Sequence, residues 1–454
     1  MLLALFVSFN IGFAQQDEEC MNNLSIFDSY VKSKKYDDAY GPWKIVREKC
    51  PKFNRAIYAH GEKILLHKIK NTTGADQIAH IKDLMLLHDQ SREHFESKYD
   101  LAEILSDKAN LAYKYRKELN ISLEEDYNMF DEAFRKDREH FDSAKGLYTY
   151  FSLIVDLYDD GKKSAQEMFD KYDDVNEIIE NIISDNTSKL NAYAAKEEAG
   201  NTLTKKEAQR KASYESYIDA FETKILPSMD KKLGDRANCE VLIPLYQKNF
   251  DNNKEDPVWL QRAMNKMGEK DCTDDPFFEK LVEQKNRIEP DAKTAFYLGV
   301  LKEKQGKTAE ADKYYDQSFN LETDPLKKWK LVMRVAEKNY KRGSYGKARQ
   351  QYMQALKLNP SNGGPYIRIA AMYAKSANNC GDTNFNKRAV FWLAANEAEK
   401  AGRVDGRLRK AAKQTATSYR ASAPSKSDIF NCGCSGTVIK IGCWIGRSVT
   451  VPNI

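Results

Sequence analysis

The chain has 454 residues, 31% of them charged, with only 22 Gly and 12 Pro, a balance typical of soluble helical proteins. That length suits two or three ordinary domains or one extended repeat array. The net charge of +5 is small for this size and gives no reason to expect a nucleic-acid partner.

The charge is uneven. From Asp382 onward there are twelve Lys and Arg against five Asp and Glu, so the excess lies in the last sixth of the chain. At the other end, Met1 to Ala14 is apolar and is followed by Gln15-Gln16-Asp17-Glu18-Glu19. The run is too short to span a bilayer, and Phe13-Ala14 before Gln15 suits signal peptidase, so residues 1–14 are expected to be a signal peptide. The basic residues that usually lead such a run are missing, which fits a start codon lying upstream. A buried N-terminal helix is the alternative.

Export makes the eight cysteines disulfide formers. Cys20 and Cys50 flank one expected helical hairpin, and Cys239 and Cys272 flank another. In an antiparallel hairpin the start of one helix lies beside the end of the next, so each pair can close. Loops of about thirty residues stabilise by roughly 3 to 4 kcal/mol in the chain-entropy model. Cys380, Cys432, Cys434 and Cys443 remain, with a zinc site as the alternative to disulfides.

Residues 15–163 read as degenerate helical repeats. Phe27, Tyr30, Ala39 and Trp43 carry the first, which ends at Cys50-Pro51. Amphipathic helices follow over 55–71, 82–99 and 101–119, and Tyr150, Leu153 and Leu157 share one face before Gly161. Residues 164–229 are long and polar, broken at Gly200-Asn201, with the capping box Thr204-Lys205-Lys206-Glu207 starting a second helix. This segment is expected to form an arm of two antiparallel helices. A coiled-coil dimer is the alternative, but its apolar heptads are short.

Short repeats resume over 230–423. Leu298 and Gly299 lead to Gly306, then Ala311, Tyr315, Ser318 and Pro325. Val335 and Ala336 lead, at identical offsets, to Gly343, Ala348, Tyr352 and Ala355, and Pro360 ends the repeat. Small residues there let two helices approach closely, and the aromatic ring fills the gap behind them. A third copy begins at Tyr366 with Ile369, Ala370 and Tyr373, has an enlarged turn over 378–384, and continues as Lys387 to Ala394. A last helix over 405–419 caps the stack. After Pro424, Thr437 to Ile441 and Ser448 to Val451 form a small Cys-containing β-hairpin tail over 424–454. The expected fold is therefore all-α, a helical-hairpin solenoid with a long helical arm and a small C-terminal β-hairpin.

The motifs over 292–400 resemble the tetratricopeptide repeat. Together with the Phe-Ala-Gln ending of the leader, the Cys380 loop, the helix 389–394 and Cys443-Trp444-Ile445, they resemble exported tetratricopeptide proteins of Bacteroidota bacteria. That resemblance implies a scaffold in the periplasm or associated with the outer membrane, with no assigned activity and no cofactor. It also implies a Cys380–Cys443 bond, leaving Cys432 and Cys434 to form a labile disulfide across one residue or to pair differently.

In such folds the first helix of each repeat lines a binding groove. The offsets fall on Lys293, Phe296, Val300, Glu303, Lys330, Met333, Glu337, Tyr340 and Ile367, a mixed surface suited to a peptide or a helix. A solvated or arm-covered surface is the alternative. Chaperone-binding members hold a terminal carboxylate with a Lys and Asn clamp; Val300 and Glu337 occupy the Asn-type positions here, which disfavours that role. The sharpest charge cluster is Arg403, Arg407, Arg409, Lys410, Lys413 and Arg420. It suits an anionic head group, a glycan or an acidic protein surface, or is simply a solvated terminal helix.

All six histidines lie in the first third, without a metal-binding spacing. There is no phosphate loop, dinucleotide fingerprint or nucleophile elbow, so no enzyme is expected. The reading that follows is a non-enzymatic scaffold for envelope proteins, with protein partners, no nucleic acid, possible strand addition at the tail, and peripheral membrane association. A carbohydrate-binding envelope protein using the basic cluster and an unrecognised envelope enzyme are the rivals.

Overall fold

The computed structural model describes residues 5–454, with side chains from Glu18 onward. The expected signal peptide falls on residues 1–4, outside that range, and on residues whose side chains are not described. Among the described residues, no helix is long and apolar enough to cross a membrane.

The architecture is all-α with tetratricopeptide-like helical hairpins and one two-stranded antiparallel sheet at the C-terminus. The chain divides between Ile179 and Glu180 into two compact units. The first contains α1 (Leu5–Lys32), α2 (Tyr36–Lys49), α3 (Ala56–Asn71), α4 (Gly74–Phe95), α5 (Leu101–Lys114), α6 (Arg116–Leu119), α7 (Leu123–Lys136) and α8 (Ala144–Asp159). Helix α9 (Ala165–Glu198) crosses the division. The second unit continues with α10 (Lys205–Ala220), α11 (Leu226–Leu233), α12 (Cys239–Asn253), α13 (Pro257–Glu269), α14 (Pro276–Ile288), α15 (Ala292–Lys304) and α16 (Thr308–Leu321). It ends with α17 (Pro325–Lys341), α18 (Tyr345–Leu358), α19 (Gly364–Cys380), α20 (Asn384–Val404), α21 (Arg409–Ser422), α22 (Lys426–Cys432), β1 (Val438–Ile441) and β2 (Arg447–Thr450).

Local chemistry sets many of these boundaries. Asp256-Pro257, Asp275-Pro276 and Asp324-Pro325 each start a helix, the carboxylate accepting from the first free backbone N–H groups and Pro occupying a position that needs none. Thr204 and Glu207 form the reciprocal capping box that opens α10. Gly306 and Gly343 turn the chain between paired helices at φ +75° and +76°, a left-handed conformation that an L side chain resists.

Packing explains the small residues. A Cβ on Gly299 would lie 2.6 Å from the Tyr315 ring, so only glycine lets α15 and α16 meet there. Gly61 has the same relation to Trp43 in the first unit, at 2.6 Å from the indole nitrogen. The Trp43 indole N–H donates to the carbonyl of Ile57 at 2.7 Å, fixing the buried ring between α2 and α3. The enlarged turn expected over 378–384 is shorter than the sequence implied. Helix α19 runs through Cys380, leaving Gly381 to Thr383, because Gly381 packs directly on the backbone of Lys387.

Four disulfides join Cys20 to Cys50, Cys239 to Cys272, Cys380 to Cys443, and Cys432 to Cys434. The tail is packed rather than loose. Ile441, Ile445 and Val451 are buried with α19 and α20, and Val438 pairs with Thr450 at the open end of the hairpin. Trp444 sits between the Tyr345 and Tyr373 rings, each 5.6 Å away, and donates to the Ser376 hydroxyl at 3.0 Å.

Two predictions test these features. Replacing Cys20 and Cys50 together with Ser is expected to lower stability by about 3 kcal/mol, read as a loss in the unfolding midpoint of the oxidised protein. Asp126 is fully buried with neither carboxyl oxygen hydrogen-bonded, and burial pushes it up to about 7 from 3.8. The folded state therefore holds that proton more tightly than the unfolded state, and stability falls as pH rises across this window. Asp126→Asn should gain on the parent between about pH 4 and 7 and level off above it. A difference that does not vary with pH would contradict the assignment.

Candidate functional site

The second unit contains a cavity of about 1370 Å³. Its walls come from the end of α9, from α18, from the start of α19 and from the α20–α21 hairpin. The floor is small and apolar: Leu356, Pro360, Val404, Ala412 and Ala416. The sides carry Lys357, Lys400, Arg403, Arg409, Lys413 and Arg420, opposed by Glu197, Glu198 and Glu399. Some of these charges are already matched. Arg420 pairs with Glu399 at 2.7 Å, Lys400 with Glu397 at 2.8 Å, and Lys211 with Glu197 at 2.7 Å. Among the described residues, Lys357, Arg403, Arg409 and Lys413 are exposed and make no ion pair, leaving a surplus of positive charge around an apolar floor.

Helix α21 supplies the regular side. Arg409, Ala412, Lys413, Ala416, Thr417 and Arg420 recur at helical spacing, so they form one stripe about 16 Å long. Ala416 packs with Ala370, Ala395 and Ala398, which presses α21 against α19 and α20.

A buried polar network holds the opposite wall in place. Asp405 is 2% exposed, and its carboxylate accepts from the Gly363 N–H and from the backbone N–H, Nε and Nη2 of Arg407. Arg407 also pairs with Glu222 at 2.7 Å. Burial works against the Arg407 charge, but the bonds to Asp405 and then Glu222 outweigh it and hold the guanidinium above its usual range. Glu215 of α10 accepts from the Gly406 N–H at 3.1 Å. A Cβ at Gly406 would displace the Glu215 carboxylate from this bond. The arm is thus latched to the turn that precedes α21, and the end of α9 stands beside the cavity.

The basic cluster named from sequence divides in two. Arg403, Arg409, Lys413 and Arg420 line the cavity, Lys410 is exposed outside it, and Arg407 is taken up by the latch. Lys357, Lys400 and the carboxylates of α9 were not singled out by sequence reasoning, and Tyr366 was read only as the start of a repeat. They come from segments separated by up to two hundred residues, and nothing local marks them.

None of the nine expected groove residues lines this cavity. Phe296 and Val300 are 4% and 6% exposed, and Phe296 packs on Tyr297 and Tyr315, so both are taken up in the packing of the hairpin. Lys330 is paired with Glu180 of α9 at 2.9 Å. Lys330, then Lys293 and Arg334, hold that carboxyl below its usual range against the effect of burial. Glu303 pairs with Lys338 and Arg342 and accepts from the Tyr315 hydroxyl, while Glu337 accepts from Arg368 and the Tyr352 hydroxyl. Tyr340 lies beneath Arg368 and Lys375 and accepts from the latter; Met333 and Ile367 are half-buried against the core. These charges are neutralised within the fold.

Among the described residues no group of three or more His, Cys, Asp or Glu is arranged to hold a metal ion. The histidines are dispersed in the first unit, with His60 on Asp28 and His67 on Asp37. His88 is buried, and desolvation pushes it down to about 4.

The two parts of the basic cluster should respond differently to truncation. Arg407→Ala leaves Asp405 buried without its partner and is expected to cost about 3 kcal/mol in urea unfolding. Arg409→Ala and Lys413→Ala should each stay within about 0.5 kcal/mol of the parent. Equal effects at all three positions would show that the division is wrong.

No family model matches the chain, and no curated protein matches it. Several solved structures are similar, three of which follow. A tetratricopeptide repeat protein from Parabacteroides merdae is 11% identical over 69% of this chain and 97% of that one, with a TM-score of 0.25. The human IFIT1 dimer with PPP-AAAA is 13% identical over 82% and 77%, with a TM-score of 0.30. Yeast Tom70 is 12% identical over 91% and 83%, with a TM-score of 0.27.

Proposed function

We propose that this chain is a non-enzymatic scaffold of the bacterial cell envelope that binds partner proteins in its C-terminal unit. It is exported, works in the periplasm or attached peripherally to the outer membrane, and uses neither a cofactor nor nucleic acid. One observation carries the reading: a cavity of about 1370 Å³ with an apolar floor and uncompensated cations. It exceeds the roughly 300–1,000 Å³ of pockets that enclose a drug-sized ligand, so a segment of protein is the better match. The pairing of all eight cysteines supports an oxidising compartment. Helices packed on one another supply a rigid support for such a surface.

The test is site-specific cross-linking in intact cells. A photoreactive residue at Thr417, inside the cavity, should yield discrete protein adducts, whereas one at exposed Glu310 on α16 should not. Absence of protein adducts at Thr417, together with tight binding of purified protein to envelope polysaccharide, would replace this reading with a carbohydrate-binding one.

A further inference from the structure

We propose that the occupant of the cavity is an acidic amphipathic helix of a partner protein. This rests on the reading of the cavity as a protein-binding site and names the class of segment it takes.

Three features select that class. The first is charge. Lys357, Arg403, Arg409 and Lys413 have no ion-pair partner among the described residues, while Glu198 is the one lining carboxylate equally free. The vacant positions call for carboxylates.

The second is periodicity. Arg409 and Lys413 are one turn apart on α21, about 6 Å, and Arg420 lies two turns further, about 10 Å. Alanines fill the stripe between them. A helix laid along it would place carboxylates at i and i+4 over Arg409 and Lys413 and its apolar residues over Ala412 and Ala416, while Arg420 stays on Glu399.

The third is the backbone. Every wall is helical apart from the short turn at Pro360, and helical N–H and C=O groups are already bonded along the chain. An extended peptide would find no strand edge here and would leave its own backbone unpaired, whereas a helix arrives with its backbone satisfied. A helix is already seated at this cavity: α9, ending in Glu197 and Glu198, forms one of its walls.

The rival anions fit less well. Tyr366 is the sole aromatic lining residue, which is a poor platform for stacking sugar rings. The cations also face a concavity, whereas a bilayer surface attracts basic residues that project outward.

Binding of labelled peptides to the full oxidised chain tests the proposal. The probe is a fluorescein-labelled helical peptide of four turns with Leu on one face and Glu at one-turn spacing beside it. Controls carry Lys in place of Glu, or the same residues in a scrambled order. Fluorescence anisotropy should show the acidic helix binding at least about tenfold more tightly than either control, with affinity falling as salt rises. Arg409→Glu with Lys413→Glu should weaken it by about tenfold or more, while Lys293→Glu should change it less than about twofold. Thr417→Trp fills the cavity without altering charge and should also block binding; circular dichroism and the unfolding midpoint establish that each variant is folded.

Equal binding of the acidic and basic helices, or binding indifferent to the cavity variants, overturns the proposal. So does Lys413-dependent binding of polygalacturonate or of phosphatidylglycerol vesicles when the acidic helix does not bind. Protein adducts at Thr417 combined with failure of the acidic helix would refute the helix class alone and leave the protein-binding reading standing.

Discussion

The buried carboxylate of Asp405 is the point on which the second unit depends. It lies where α20 ends, and its oxygens hold the Gly363 backbone at the start of α19 and the Arg407 side chain before α21. A buried carboxylate is costly unless its hydrogen-bonding capacity is filled, and here four bonds fill it. The same Arg407 then reaches Glu222 of the arm. One ion network therefore sets the approach of α19, the turn into α21 and the attachment of α10. Such a network is weak evidence of net stability, because desolvation consumes much of the attraction. What it supplies is a single arrangement, since any displacement leaves a buried charge without its partner.

The repeat packing works on a different principle. Gly299 admits the Tyr315 ring, and Ala336 faces the equivalent Tyr352; both rings are buried while their hydroxyls reach the carboxylates of Glu303 and Glu337. The apolar part of each tyrosine drives helix contact, and its polar tip neutralises a site on the neighbouring first helix. Those carboxylates also take cations from the next helix along, Lys338 and Arg342 on Glu303 and Arg368 on Glu337. In these two repeats the carboxylates of the first helices are engaged in joining one hairpin to the next.

This separates what could be read in the sequence from what could not. Gly299, Gly306, Ala311 and Tyr315 are spaced by the geometry of one hairpin, so their meaning is local and visible. Asp-Pro helix starts and the Thr204 box are local for the same reason. The expected groove offsets were also local, but whether a first-helix side chain faces a ligand depends on its neighbours. Phe296 turned inward, and Lys330 met Glu180 from a segment 150 residues earlier. The cavity is non-local: α9, α18 and α21, distant in sequence, supply its walls. Charge density pointed at the right stretch, 403–420, yet could not distinguish Arg407 from Arg409, because that distinction lies in Glu222.

That distinction has a physical basis in solvent exposure. Arg407 retains 19% of its side-chain exposure and faces two carboxylates, so its charge is committed to the fold. Arg403, Arg409 and Lys413 remain solvated, and unpaired cations in water cost the folded state little. They can be kept without partners because water serves in place of one, and that water is released when an anion takes its place. A stretch of eighteen residues thus divides its positive charge by burial alone, with the dry guanidinium positioning the wall and the wet ones lining it. The spacing of Arg409 and Lys413 is set by α21 itself, and the buried Asp405–Arg407 pair fixes where that helix starts against α19, so the exposed cations are held in place without being spent on holding it.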